Sequence, residues 1–291
     1  MTTTFQTIRF EIQNQVATLT LDNPAKRNAL DPAMREEIAQ VVATVRRDRD
    51  IRALVIAGAN GHFCSGGDLR NIATVGLDNQ GWRNRLQDLH EWLQDLLTLD
   101  RPVIAAVDGV AYGAGFSLAL LADFVLATPR ARFCMSFMRV GLVPDCGAFY
   151  TLPRIVGVQR AKELMLSARD IDAAEALQLG IAMELHAPER LLPRAQALAA
   201  SFVNASAVAV SLVKRTLACW GTDMPALLEQ EANAQALAIQ QDAVVNGTPV
   251  PLAAQAGYTI AQTSTHLAEM KELRRKREAW EGAPALDAMR R

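Results

Sequence analysis

Arg52-Ala-Leu-Val-Ile-Ala-Gly-Ala-Asn-Gly-His-Phe-Cys-Ser-Gly-Gly-Asp68 is the stretch on which the fold turns. Arg52 to Ala57 is a short, continuous apolar run that reads as a strand buried on both faces, the kind found in a parallel sheet. Gly58 to Asp68 is then a loop of small residues, and a helix begins where the loop ends. Strand, small-residue loop, helix is a layout that repeats through the first half of the chain. Upstream, Val16 to Leu21 is a strand closed by the turn residues Asp22-Asn23-Pro24, and Asp31 with Pro32 opens a helix carrying Met34, Ile38, Val41 and Val45 on one face. Downstream, Trp82, Leu86, Leu89, Leu93 and Leu96 mark a long amphipathic helix. Pro102 to Val107 is the next strand, and Gly113 to Leu121 is a helix with no polar face, which must be buried all round.

Strands at Phe124 to Ala127 and Arg132 to Met135 precede a loop from Gly141 to Gly147, and Asp172 with Glu175 reads as a capping box. No fixed-period repeat is present. Beyond about Glu189 the strand signal stops, and helical patterns cover Arg190 to Asn204, Val208 to Trp220, Pro225 to Gln241 and Thr263 to Glu281. An α/β region over 1–200 followed by a helical region over 201–291 is the expected organisation. The turn-rich stretch Asn246 to Gly257 reads as a connector.

Composition excludes several functions. With 30 Lys and Arg against 31 Asp and Glu in 291 residues, the net charge of −1 argues against a nucleic-acid binder that works by bulk charge. Half the residues are hydrophobic, enough for a large core. The longest charge-free run in the most apolar region, Gly109 to Ala122, is too short for a bilayer span of about 20 residues. The opening Met-Thr-Thr-Thr-Phe-Gln has no secretory pattern, so a cytoplasmic protein with no membrane partner is expected. Cys64, Cys134, Cys146 and Cys219 contain no CxxC pair and read as reduced structural thiols. His62, His90, His186 and His266 lack ligand spacing, so no metal is expected.

Two loops concentrate small residues at helix starts: Cys64-Ser65-Gly66-Gly67-Asp68 and Tyr112-Gly113-Ala114-Gly115. Small side chains let a ligand reach the main chain, and the first turn of a helix presents unpaired N–H groups. Two such turns converging would form a hole for an oxyanion; alternatively, the glycines only permit tight turns and close packing. Gly113-Ala114-Gly115 fails as a dinucleotide fingerprint because Leu118 stands at the third glycine position. Gly115-Phe-Ser-Leu-Ala119 remains as a nucleophile-elbow alternative around Ser117, with His186 or His266 to follow, although a serine in a buried helix more often bonds its own backbone. Asp145, in Val143-Pro-Asp-Cys-Gly147, is flanked by apolar residues and suits a carboxylate of raised pKa acting as a base. By pattern alone, Pro-Asp-x-Gly is ordinary turn chemistry.

Four segments taken together carry a resemblance: Asn23-Pro-Ala-Lys-Arg-Asn-Ala-Leu30, Phe63-Cys-Ser-Gly-Gly-Asp-Leu69, Pro102 to Gly109 with Gly113-Ala-Gly115, and Gly141-Leu-Val-Pro-Asp-Cys-Gly147. Over roughly residues 5 to 240 the chain resembles the crotonase superfamily, the enoyl-CoA hydratase/isomerase family. The resemblance implies a spiral of ββα turns followed by a helical trimerisation region, an acyl-CoA thioester as substrate, and a homotrimer or dimer of trimers. It implies no cofactor beyond the coenzyme A that arrives with the substrate. The N–H groups of Gly67 and Ala114 correspond to the two donors to the thioester oxygen. Lys26, Arg27 and Ala29 fall where relatives hold CoA, and Cys64, Ser65, Gly66, Asp68 and Leu69 where they line it.

Where hydratases of the family carry two glutamates, this chain has Ser117 and Phe137, the latter expected against the substrate. Asp145 stands where isomerases and some dehalogenase-like relatives place a single catalytic acid. The segment around it is similar to isomerases of ring-derived acyl-CoAs in phenylacetate breakdown. An acyl-CoA isomerase is therefore the leading expectation. A hydratase with a displaced acid or base, and a silent binding or assembly protein, are the alternatives. The Thr263 to Glu281 helix is expected to be solvated or at a trimer contact, with a neighbour's CoA phosphate as the sharper reading.

Overall fold

The computed structural model describes residues 5–218 and 223–239. Its elements in chain order are β1 (Ile8–Gln13), β2 (Val16–Leu21), α1 (Pro32–Arg47), β3 (Ala53–Gly58), α2 (Leu69–Thr74), α3 (Asn79–Leu97), β4 (Val103–Val107), β5 (Val110–Tyr112), α4 (Ala114–Leu120), β6 (Phe124–Ala127) and β7 (Arg132–Cys134). These are followed by α5 (Ala148–Val156), α6 (Val158–Ser167), β8 (Ile171–Asp172), α7 (Ala173–Gln178), β9 (Glu184–Leu185), α8 (Pro188–Ser201), α9 (Ala207–Ala218) and α10 (Met224–Ile239). The chain divides after Val203 into two compact units.

The first unit is built on a six-stranded sheet in the order β1-β2-β3-β4-β6-β9, parallel except for the β1–β2 hairpin. A smaller sheet, β5-β7-β8, lies beside it. The repeating step is visible in how the chain alternates between them: β4 enters the large sheet, β5 the small one, then α4 follows, and β6, β7 and α5 repeat the step. Single bridges Leu30↔Gly67 and Cys64↔Ala111 supply the second strand position after β2 and β3. The ββα step therefore recurs without a fixed sequence period, because its helical part ranges from the seven residues of α4 to the α2–α3 pair. Val103 to Val107 is buried throughout and all of α4 is buried, as a strand and a helix enclosed on every side require.

The structure adds elements to those read from the sequence. β1 is an edge strand with mostly exposed side chains, joined to β2 by Asn14-Gln15, both at positive φ, the geometry of a tight primed hairpin turn. β5, β8 and β9 have three residues or fewer, too short to leave a periodic signal. Asp31, Asp68, Asp78 and Asp172 each cap a helix with a side-chain oxygen. In the second unit α9 packs with α10, and Val213, Leu217, Leu228 and Leu237 remain more than half exposed there. The expected Thr263 to Glu281 helix, the Asn246 to Gly257 connector, Cys219 and His266 lie outside the described residues. No helix among the described residues is long and apolar enough to cross a membrane.

Candidate active site

Two loops at helix starts, Cys64–Asp68 and Tyr112–Gly115, form one part of the candidate site, and the Gly141–Gly147 loop carries the candidate base. The Cys64–Asp68 loop and the Tyr112–Gly115 loop are bonded to each other: Cys64 N donates to Val110 O at 2.9 Å and Tyr112 N to Cys64 O at 3.0 Å. Glycine is required at their contact. A Cβ on Gly115 would lie 2.4 Å from Cys64 O, and one on Gly66, at φ +101, would lie 2.7 Å from Tyr112 O and 3.7 Å from Ala114 N. The loops thus meet main chain to main chain. Among the described residues, neither Gly67 N nor Ala114 N donates to a protein acceptor. Two unpaired donors on abutting loops are the elements of an oxyanion site.

The Asn23–Leu30 segment supports this pair from behind. A 3-10 turn over Pro24–Lys26 is followed by Arg27 and Asn28, both in the left-handed region. Asparagine tolerates that conformation better than most residues. Asn28 is buried, accepts from Asn23 N at 2.8 Å, and directs its Nδ2 at the carbonyls of Ala59, His62 and Phe63, the nearest at 2.8 Å. Ser65 N donates to Arg27 O (3.0 Å), Ser65 Oγ to Lys26 O (2.9 Å) and Leu30 N to Gly66 O (2.8 Å). Ala29 is buried. The Lys26 ammonium is paired with Asp31 and Asp68, and these partners hold its pKa above the ordinary lysine value. Arg27 is exposed, and its guanidinium has no partner among the described residues.

Asp145 occupies the third loop, between buried Pro144 and Cys146. Its Oδ1 is buried and accepts no hydrogen bond among the described residues. Burial pushes its carboxyl above the usual aspartate range, while the Cys146 thiol and the charges of His90 and Arg35 pull the other way. Cys146 adopts positive φ (+52°), followed by Gly147 at +78°. This turn joins Asp145 to α5, whose first residue donates Ala148 N to Asp145 O at 3.1 Å. Burial and the neighbouring carboxylate raise the Cys146 thiol well above its normal value, and burial pushes Cys64 up to about 12. Both thiols are therefore neutral and unreactive near pH 7.

Leu69, Leu142, Val143 and Phe149 are exposed apolar side chains on the same three-loop region or its flanks. Arg35 on α1 and His90 on α3 were not marked by any sequence signal, because only the tertiary fold brings their charges to bear on Asp145. Asn71, whose Oδ1 is buried without a partner next to the Gly67 loop, was likewise invisible to pattern. Among the described residues no three His, Cys, Asp or Glu side chains gather as a metal cluster.

The enoyl-CoA hydratase/isomerase family model matches residues 11–249. The chain belongs to that family. A probable enoyl-CoA hydratase of Rhodobacter capsulatus is 38% identical over 233 residues, 79% of this chain and 89% of that protein. The 1,2-epoxyphenylacetyl-CoA isomerase of Escherichia coli is 35% identical over 208 residues, 71% of this chain and 79% of its own. The crystal structure of an enoyl-CoA hydratase/isomerase from Cupriavidus metallidurans superposes with a TM-score of 0.79 at 42% identity, covering 84% of this chain and 94% of that one. The spiral of ββα turns expected from the resemblance is thus the fold of a family whose substrates are acyl-CoA thioesters.

Within this family member, the two positions at which the resemblance implies hydratase glutamates hold no acid. Ser117 is fully buried in α4 and its Oγ returns to Gly113 O at 3.3 Å, a helix-internal bond. Phe137 is buried, with its ring beside the Gly113 main chain. His186, one partner considered for a serine nucleophile, is bonded to Glu184, which also holds Arg194. Ser117 and His186 are each committed elsewhere.

Proposed function

We propose that this enzyme moves a double bond within an enoyl-CoA or a ring-derived acyl-CoA, with Asp145 carrying the proton. The observation behind this reading is the buried, unpartnered Oδ1 of Asp145 on a carboxyl of raised pKa, in a chain that carries Ser117 and Phe137 at the two positions where the resemblance implies glutamates. The carboxylate takes a proton from the α-carbon of a 3-enoyl-CoA. Electron density moves to the thioester oxygen, where the Gly67 and Ala114 N–H groups stabilise it. Asp145 then returns the proton to the γ-carbon and a 2-enoyl thioester results. One carboxylate suffices, because the proton leaves and returns to the same substrate.

A loss of either N–H donor is worth about 3 to 4 kcal/mol by analogy with other oxyanion sites. Arg27, exposed and unpaired, is the cation assigned to the CoA phosphates, and Cys64 to Leu69 line the thioester. The E. coli relative, named as an isomerase of a ring-derived acyl-CoA, supports the ring-derived class. The Rhodobacter relative's name favours a second reading, a hydratase with a displaced acid or base. Purified enzyme assayed on 3-enoyl, 2-enoyl and ring-derived CoA thioesters separates them. Turnover of the first or third class supports the proposal, hydration of 2-enoyl-CoA alone replaces it, and no turnover of any leaves a binding protein.

A further inference from the structure

Lys26 stands in the segment that the resemblance assigns to CoA, yet its ammonium faces the chain's own carboxylates. Nζ lies 2.7 Å from Asp31 Oδ2 and 2.9 Å from Asp68 Oδ2. Each of those aspartates already has a structural role. Asp31 caps α1 by accepting from Met34 N at 3.0 Å, and Asp68 caps α2 by accepting from Arg70 N and Asn71 N at 3.1 and 3.2 Å. The aspartate side chains are only 8% and 11% exposed, against 45% for Lys26. One ammonium therefore neutralises two largely buried carboxylates that would otherwise repel each other across the same gap.

Asp31 has a second restraint, Asn23 Nδ2 at 3.2 Å, and is anchored to the sixteen-residue α1. The Asp68 side chain is anchored to the shorter α2, of six residues, while the main chain before it is held by the Leu30↔Gly67 bridge. If the clamp is removed, Asp68 is the group that moves, and Gly67 immediately precedes it. A phosphate could recruit Lys26 only by drawing it off both carboxylates.

We propose that Lys26 is a positioning residue: its ammonium clamps Asp68 to the cap of α1 and so fixes the Gly67 N–H for the thioester oxygen. The inference rests on the oxyanion assignment of Gly67 and adds a residue that acts through it. The test combines Lys26→Met, Lys26→Arg and Asp68→Asn with three readouts. These are the Kd of free CoA, kcat on the best thioester, and the shift of the thioester carbonyl stretch when a saturated, unreactive acyl-CoA binds. In Lys26→Met the CoA Kd stays within about twofold while the carbonyl shift shrinks and kcat falls about tenfold or more, since small displacements of positioned groups are costly. Lys26→Arg, able to reach two carboxylates, restores both signals. Asp68→Asn keeps the cap oxygen but loses the ion pair, so it loses carbonyl shift without gaining CoA affinity.

Two results overturn the inference for Lys26→Met: CoA binding weakened tenfold or more with an unaltered carbonyl shift, or no change in any readout. A third is tighter CoA binding in Asp68→Asn, which would mark Lys26 as a phosphate ligand held in reserve. A wild-type enzyme with no carbonyl shift also overturns it. A wild-type shift without isomerase turnover counts against the proposed reaction alone.

Discussion

Gly115→Ala adds one methyl group where the two donor loops touch. Its Cβ would stand 2.4 Å from Cys64 O, 2.7 Å from Cys64 Cβ and 2.8 Å from Cys64 Sγ, against an ordinary contact of 3.4–4 Å. All three atoms belong to one residue whose backbone is held by bonds to Val110 and Tyr112, so relief requires the loops to separate by about 1 Å. Overpacking of this kind costs about 1 to 3 kcal/mol. Alanine in a helix recovers about 1 kcal/mol relative to glycine. The net loss of stability is therefore modest, a fall of a few degrees in Tm for a domain of this size.

The catalytic effect is larger, because a displacement of about 1 Å in a positioned group costs on the order of a hundredfold in rate. Steady-state kinetics and a thermal melt on the same preparation read both. The expected result is a kcat/KM reduced about a hundredfold with the Tm only a few degrees lower. Wild-type kcat/KM in a folded Gly115→Ala would refute the claim that contact between the Cys64 and Gly113 loops sets the donor geometry.

Asp145 also has a signature in stability. Its folded carboxyl titrates above its reference value of 3.8, so in the window between the two the folded state keeps a proton that the unfolded chain has lost, and stability falls as pH rises. Asp145→Asn, with no charge to desolvate, should melt above wild type at pH 8, with the gap narrowing as the pH falls toward 4. A gap independent of pH would remove desolvation as its cause. Arg27→Ala should weaken CoA binding severalfold at low salt and less at high salt, and titration calorimetry showing unchanged affinity would take Arg27 out of the phosphate site. The half-exposed leucines and valines of α9 and α10 call for a partner surface, so light scattering should report a trimer or a pair of trimers, and a stable monomer at micromolar concentration would contradict that.

The features legible in the sequence were those with strong local chemistry. The β3 run, the all-apolar α4 and the aspartate caps of α1 and α7 announce themselves through composition or a single capping residue, and they appear in the structure where the pattern put them. The glycines of both donor loops were read either as openings for a ligand or as places of tight turns and close packing, and the Cys64 to Gly115 contact is of the second kind. What stayed hidden depends on partners distant in the chain. Lys26 looked like a solvated or phosphate-facing cation, because nothing near it in sequence says that Asp68 lies 2.9 Å away. Asn28 was quoted as part of a motif, but its four hydrogen bonds to residues 23, 59, 62 and 63 exist only once the β3 loop folds back on it. Arg35 and His90, whose charges act on the Asp145 carboxyl, stand on two other helices.

Turnover of a 3-enoyl-CoA by Asp145→Asn, with thioester binding measured on the same sample, tests the single-carboxylate mechanism most directly. The substitution preserves shape and removes the basic oxygen, and a positioned base contributes about a hundredfold to ten-thousandfold in rate. The expected kcat is at least about a hundredfold below wild type with binding retained, while Ser117→Ala, whose hydroxyl bonds Gly113 O, changes it far less. Wild-type turnover in Asp145→Asn, or its abolition in Ser117→Ala, would contradict the mechanism and return the serine to consideration.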